Sequence, residues 1–85
     1  MGKVTCFQVP GIDIWFNSND HLPPHFHAER AGEWHVRVFF LRAPEEMLER
    51  KWGKGPSPRD RRLLALGAQV HRSLLLEEWA MKVHL

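Results

Sequence analysis

The chain has 85 residues, 44% of them hydrophobic and 26% charged, and its formal net charge is +2 at pH 7. A chain of this length forms a single domain, residues 1–85, with a small core, and no apolar run approaches the roughly 20 residues that span a bilayer. The composition therefore argues against a membrane protein and favours an ordinary soluble one. No secretory signal precedes the first polar–apolar alternation, so we expect a cytoplasmic protein. With Cys6 as its one cysteine, the chain has no internal disulfide and no cysteine-based zinc finger.

The first half of the chain predicts a small antiparallel sheet. Alternation of Ile12, Ile14 and Phe16 with other residues predicts a strand over residues 11–17, which ends in the turn-rich sequence Asn17–Asp20. Two further strands, 25–30 and 33–41, flank a turn that contains glycine. Residues 46–52 predict a fourth strand at the sheet edge, although the Glu-Met-Leu-Glu composition leaves a short helix as the alternative.

The second half predicts one C-terminal helix over residues 58–82. Ser57 suits the N-cap, Pro58 the first helical position and Asp60 the first turn. The predicted fold class is α+β, with a meander of three to four strands packed on one face by this helix. The side expected to cover the sheet carries Leu63, Leu64, Gly67, Ala68, Val70, Leu74, Leu75 and Met81.

The length of this helix raises a question about its C-terminal end. A straight helix over residues 58–82 is about 37 Å long, which exceeds the roughly 25–30 Å diameter of so small a domain. The helix is therefore expected either to kink near Ser73 or to project from the domain. In the second case Leu76, Trp79 and Leu85 contact a partner, and the C-terminal helix makes an oligomer possible.

Three of the six histidines and two carboxylates lie within residues 20–29. Pro23 and Pro24 impose extended geometry on the chain before the following residues alternate between polar and apolar. In a strand, His25, His27 and Glu29 share one face.

A three-residue hairpin loop, residues 30–32, predicts the neighbours of these side chains. It places His27 opposite His35 and His25 opposite Arg37, with the apolar pairs on the other face. Because one helix covers one face, the polar face is expected to be open. This face carries His25, His27, Glu29, His35 and Arg37, with Phe39 and Trp15 beside it.

The motif Asp20-His21 followed by residues 23–28, Pro-Pro-His-Phe-His-Ala, resembles the signature of the bacterial domain of unknown function 4160 family. The similarity extends to Gly11-Ile12 before the motif and to a helix pattern after it, formed by His71, Leu75, Leu76 and Trp79. The resemblance implies a small bacterial cytosolic protein with no settled activity. It also implies that such a protein is sometimes encoded beside another small protein, in an arrangement suggestive of toxin–antitoxin modules.

The histidine face has several chemical interpretations. His25, His27, Glu29 and His35 are candidate ligands for one divalent transition-metal ion. Alternatively, two neighbouring imidazoles act as general base and acid in RNA cleavage, with Arg37 stabilising the phosphodiester charge. In a third interpretation, the imidazoles bond to backbone around the proline corner, and Asp20 and His21 cap the turn.

Positive charge is concentrated between residues 50 and 62, where six basic residues accompany the single acid Asp60. We call these six residues the basic collar: Arg50, Lys51, Lys54, Arg59, Arg61 and Arg62. Together with His21, Arg37 and Phe39, they are the candidate residues for binding single-stranded RNA or DNA, or a small cognate protein partner. The expected function is a non-catalytic binding component of a bacterial regulatory or toxin–antitoxin-like module. The alternative is a metal-binding or RNA-cleaving protein that uses the clustered histidines.

Overall fold

The computed structural model describes residues 2–84, which form an antiparallel sheet of five strands followed by two helices. The strands lie in the sheet in chain order: β1 (Gly2–Lys3), β2 (Asp13–Phe16), β3 (Phe26–Arg30), β4 (Trp34–Val38) and β5 (Leu48–Gly53). A short 3₁₀ turn (Pro44–Glu46) separates β4 from β5, and the helices are α1 (Pro58–Val70) and α2 (Arg72–Lys82). The predicted α+β class and antiparallel meander are confirmed. The predicted number of strands, three to four, is wrong.

The additional strand, β1, lies at one edge of the sheet. Gly2 is paired with Phe16 and Lys3 with Trp15. A strand of two residues is too short to show the alternation by which strands are recognised in a sequence. At the opposite edge, residues 46–52 lie largely in the strand β5, so the helical alternative for them is wrong; a 3₁₀ turn over Pro44–Glu46 precedes the strand.

The β3–β4 hairpin has a different register from the one predicted. Its loop is formed by residues 31–33, with Arg30 paired with Trp34, and Gly32 adopts a φ of 76° in the loop. His27 therefore pairs with Arg37, and Glu29 with His35. The predicted partners were wrong by two residues. A shift of two keeps every side chain on its predicted face, so the histidines still share one side of the sheet.

The helices cover the other side of the sheet. The side chains of Ile14, Phe26 and Val36 point to this side, and they are buried together with Phe16, Ala28, Trp34 and Val38. The residues that α1 and α2 contribute to the buried set are Asp60, Leu64, Ala68, Leu75, Glu78 and Trp79. Removal of the four apolar side chains of this set, Leu64, Ala68, Leu75 and Trp79, from water is the main force that holds the helices against the sheet.

The single helix predicted over residues 58–82 is divided at His71. Its start is confirmed, because the Ser57 hydroxyl accepts a hydrogen bond from the Asp60 N–H at 3.2 Å. The predicted covering side is rotated, since Val70, Leu74 and Met81 are 68%, 50% and 77% exposed. No helix within residues 2–84 has both the length and the apolar character needed to cross a membrane.

The division brings the end of the helical segment back onto the domain. Of the residues expected to contact a partner if the helix projected, Trp79 is buried in the core and Leu76 is 42% exposed. Leu85 lies outside the described residues. The division at His71 therefore agrees with the kinked alternative, two residues before the predicted position at Ser73.

Candidate metal centre

His27 lies on the side of the sheet that faces away from the helices, whereas His25, just before β3, also contacts Trp79 of α2. His27 alternates along β3 with Phe26 and Ala28, which are in the core. Nevertheless His25 and His27 are only 5% and 4% exposed. The expectation of an open face is therefore wrong at this end, because the segment 17–24 supplies groups that contact both rings.

Trp15 forms one wall of this cluster. Its indole ring is stacked on His27 with ring centroids 5.3 Å apart and an interplanar angle of 18°. The indole N–H donates to Oδ1 of Asn17 at 3.0 Å, which leaves the amide nitrogen of Asn17 3.1 Å from Nε2 of His27. The strand residue Trp15 thus orients the loop residue that contacts the histidine.

The carboxylate of Asp20 lies between the two histidines. The turn that begins at Asn17 positions it, because the Asn17 N–H donates to Oδ2 of Asp20 at 2.9 Å and the Asp20 N–H donates to the Asn17 carbonyl at 3.1 Å. Oδ1 of Asp20 lies 3.0 Å from Nε2 of His27 and 3.6 Å from Nε2 of His25. The turn-capping role expected of Asp20 is present, and the same side chain also contacts both imidazoles.

The proton on His25 can be assigned from its hydrogen bond. Nδ1 lies 2.9 Å from the carbonyl oxygen of Pro23, which can only accept, so Nδ1 carries the proton. In the neutral ring, Nε2 then holds a lone pair, and it is directed toward Asp20. The ring itself is packed against Phe39 and Trp79, with centroid separations of 5.0 and 5.7 Å.

His27 contacts the third histidine, His35, through its other nitrogen. Nδ1 of His27 and Nε2 of His35 are 3.0 Å apart, so one donates and the other accepts. If His35 donates, Nε2 of His27 carries a proton that it donates to Asp20. If His27 donates, its Nε2 holds a lone pair, as that of His25 does.

The ionisation of the cluster follows from burial and contact. Burial raises the pKa of Asp20, but hydrogen bonds from His27 and Asn17 outweigh this effect, and the pKa lies below its ordinary value. Burial lowers the pKa of His27, and Asp20 only partly offsets this decrease. Burial also lowers the pKa of His35, with a further contribution from His27. At neutral pH the carboxylate is charged and these two imidazoles are neutral, the forms in which such groups bind metal ions.

One potential ligand atom from each of Asp20, His25 and His27 lies within 4.8 Å of the other two. In a tetrahedral site with bonds of about 2.1 Å, ligand atoms are about 3.4 Å apart. The two separations from Asp20, 3.0 and 3.6 Å, bracket this value. These three side chains are therefore close enough together that they could hold one metal ion.

A cavity of about 330 Å³ adjoins the cluster and includes Asp20 and His25 in its lining. Arg37 and Phe39 form part of its wall, and His21 is exposed at its edge. A larger cavity of about 970 Å³ lies beside β2 and the segment before it, and no histidine lines it. The smaller cavity is therefore the one relevant to imidazole chemistry.

The structure does not bring the four predicted metal ligands together at one point. His25 and His27 converge on Asp20, a residue that was predicted only to cap the turn. His35 touches His27 from the side away from Asp20, and Glu29 lies opposite His35. Asn17 and Trp79 were not predicted as contacts, because the turn and the helix bring them to the cluster from positions outside the histidine strand.

The predicted nucleic-acid residues have different surroundings. Arg37 pairs with Glu49 at 3.1 Å, and Phe39 is buried beneath the Arg42 guanidinium, 3.9 Å from its ring centre. All six residues of the basic collar are exposed. A further indole, that of Trp52, is 43% exposed in β5 beside the collar and was not predicted.

A family model, domain of unknown function 4160, matches residues 11–80. The chain belongs to the DUF4160 family. No curated protein and no solved structure matches it. The match confirms the family resemblance inferred from the histidine motif. The matched residues of the DUF4160 domain include both this motif and Trp79 of α2. Asp20, His25 and His27 thus lie within the family's extent, whereas the segment that precedes Gly11 lies outside it.

Proposed function

We propose that this protein binds one divalent transition-metal ion through Asp20, His25 and His27. The observation that carries the proposal is the convergence of one carboxylate oxygen and two imidazole Nε2 atoms in a buried cluster. Hydrogen bonds at Nδ1 orient both rings, to the Pro23 carbonyl for His25 and to His35 for His27. Metal-binding histidines characteristically use the second ring nitrogen in this way.

The arrangement of donors around Asp20 supports this proposal. When the His25 ring is neutral and its proton is on Nδ1, Nε2 lies 3.6 Å from a carboxylate oxygen with no proton on either atom, so two acceptors lie close together. A cation between these atoms would replace their repulsion with two coordinate bonds. His27 joins the same ion when its Nδ1–H donates to His35, and the backbone N–H of Asn17 donates to Oδ2 of Asp20 and holds the carboxylate in place.

Two imidazoles and one carboxylate suit zinc, iron and other first-row divalent ions. Three protein ligands leave at least one coordination position for water or another ligand. Since Asp20 and His25 line the cavity of about 330 Å³, that position would face the cavity. The chain thus has the parts of an open metal centre.

Titration of untagged protein with Co²⁺ tests the proposal, because the visible absorption of Co²⁺ reports the number and type of its ligands. One ion per chain is expected, with elemental analysis confirming the stoichiometry for Zn²⁺. Asp20→Asn and His27→Ala should abolish the absorption of bound Co²⁺, whereas His84→Ala, which removes an exposed imidazole, should not. Circular dichroism of each variant checks that the fold is retained.

His35→Ala provides a graded comparison. This change removes the hydrogen-bond partner of His27 Nδ1 but no ligand, so affinity for Co²⁺ should fall about tenfold to a hundredfold while the absorption spectrum persists. Unchanged metal binding in folded Asp20→Asn and His27→Ala would refute the assignment of the site. The cluster would then be a set of hydrogen bonds that closes the turn over the sheet.

The exposed charge of the basic collar favours a second candidate function, nucleic-acid binding. None of its six side chains forms an ion pair with any residue in the range 2–84. The exposed indole of Trp52 lies among them and offers a plane on which a base can stack. Such binding would fit a component of a regulatory or toxin–antitoxin-like module, the role implied by the family resemblance. The salt dependence of RNA binding is its test.

A further inference from the structure

The cavity beside Asp20 and His25 is lined by more hydrogen-bond donors than a metal site requires. Arg37 projects from β4 directly opposite His27, and its side chain forms part of the cavity wall. Asn19 and His21 contribute an amide and an imidazole from the covering segment. With an ion at the cluster, the charge around the cavity is positive, because Asp20 is the one acid in its lining.

Arg37 has donor capacity that the fold does not use. Its Nε is buried, and no hydrogen-bond partner for it occurs within residues 2–84. Its Nη1 donates to Glu49, but both side chains of this ion pair are substantially exposed, at 34% and 50%. An exposed ion pair contributes little stability, so a ligand can replace Glu49 at small cost.

We propose that this cavity binds a phosphate group that coordinates the metal ion on one side and Arg37 on the other. The inference rests on the proposed metal site and names the ligand that its open position accepts. A tetrahedral phosphate has oxygens for the ion, for the guanidinium and for the donors of Asn19 and His21, whereas a carboxylate has only two oxygens. Arginine forms strong, directed hydrogen bonds to phosphate oxygens.

Phosphorus-31 NMR of inorganic phosphate with Co²⁺-loaded protein tests this inference. The paramagnetic ion should broaden the phosphate resonance saturably, because the phosphate lies in direct contact with the metal. Arg37→Gln should weaken phosphate binding about tenfold to a hundredfold, the loss expected for a charge-assisted contact, while Co²⁺ affinity changes less than about threefold.

Glu49→Gln is the matched control and changes the other partner of the same ion pair. It leaves the guanidinium in place and removes its competitor, so phosphate affinity should stay equal or increase. Loss of phosphate binding in both variants would mean that the ion pair is needed for the local fold, and the inference would be rejected. Opposite effects in the two variants would support direct contact with Arg37.

The remaining outcomes separate this inference from the metal proposal. Protein that binds Co²⁺ but does not broaden the phosphate resonance retains the metal site and refutes the phosphate site. Protein that takes up no Co²⁺ refutes the proposed function, and this inference with it.

Adenosine monophosphate and adenosine, titrated in parallel, identify the source of the phosphate group. Equal affinity for phosphate and the nucleotide indicates free phosphate, whereas tighter binding of the nucleotide indicates a phosphate group on a larger molecule. Binding of adenosine with an affinity equal to that of the nucleotide would contradict recognition through phosphate.

Discussion

Glu78 connects α2 to the N-terminal segment through a set of charge-assisted hydrogen bonds. Its carboxylate accepts from the N–H groups of Thr5 and Cys6, both at 2.9 Å, and from Nζ of Lys82 at 2.6 Å. Burial raises the pKa of Glu78, but these bonds outweigh burial and lower it to about 2. The side chain replaces the strand partner that the backbone at residues 5 and 6 lacks.

We predict that Glu78→Gln destabilises the protein by about 3 kcal/mol at neutral pH, the order of free energy that corresponds to lowering a carboxyl pKa from 4.5 to about 2. Because the folded pKa lies below the unfolded one, this stabilisation is complete above about pH 4.5 and is lost as the pH falls toward 2. Urea unfolding at several pH values measures it. The difference between wild type and variant should be constant from pH 6 to 8 and shrink in acid. A difference that does not depend on pH would show that Glu78 acts through packing and not through its charge.

The same carboxylate affects Cys6. Burial raises the pKa of the Cys6 thiol, and the contact with Glu78 raises it further, to about 12. Since the thiolate is the reactive form, Cys6 should be slow to alkylate at neutral pH. In Glu78→Gln its alkylation should accelerate, which provides an independent measure of the same contact.

At the scale of the elements, alternation and capping residues explain most of what could be predicted from the sequence. Polar and apolar residues alternate clearly in β3 and β4, so the faces of His27 and Phe26 were predicted correctly. The register between the two strands was not, because a shift of two residues leaves the facial pattern unchanged. Pattern alone therefore predicts which side a histidine occupies, but not which residue lies opposite.

Long-range contacts account for the features that could not be predicted. The helix is divided where the His71 ring is stacked on Phe7, with centroids 5.2 Å apart, and donates from Nδ1 to the Gly67 carbonyl. Phe7 comes from the far end of the chain, and helical periodicity holds no information about it. Asp20 was missed as a potential ligand for a related reason, since its approach to His25 depends on the path of the turn and not on strand alternation.

Gly53 in β5 and Gly32 in the β3–β4 loop permit a matched comparison of two glycines. Gly53 and Gly32 have similar φ values, 81° and 76°, so replacement by alanine introduces similar backbone strain at both. A Cβ on Gly53 would meet the Glu33 carbonyl oxygen and lie 2.8 Å from Cα of Trp34, whereas one on Gly32 has nothing within 4 Å. We predict that Gly53→Ala lowers the free energy of unfolding by about 1–3 kcal/mol more than Gly32→Ala, the usual cost of overpacking. Thermal or urea denaturation measures both, and equal losses would show that the strands separate to accommodate the methyl group.

At the scale of the whole molecule, positive charge is concentrated in one part of the surface, the basic collar. Residues 50–62, the basic collar together with Asp60, have a charge balance of +5 within a chain of net charge +2, so the remainder of the chain is negative. Asp60, the acid within this stretch, is 7% exposed and pairs with Arg30 at 3.0 Å. The Asp60 carboxylate therefore does not neutralise the collar. The six basic side chains, which lie in β5, in the loop that follows it and at the start of α1, are exposed to solvent.

This separation predicts binding of single-stranded RNA that weakens as salt increases. Neutralised phosphates release condensed cations, and each contact contributes about 0.7 to the slope of log affinity against log salt concentration for a single strand. The triple change Arg59→Gln, Arg61→Gln and Arg62→Gln should lower that slope by about 2, since all three side chains are exposed near the start of α1. Fluorescence anisotropy of a labelled oligonucleotide between about 50 and 200 mM salt measures this slope.

Arg42→Gln is the control: it removes an exposed positive charge outside the collar and should leave the slope unchanged. Absence of binding at low salt, or an equal effect of Arg42→Gln, would reject the collar as a nucleic-acid surface and favour a protein partner.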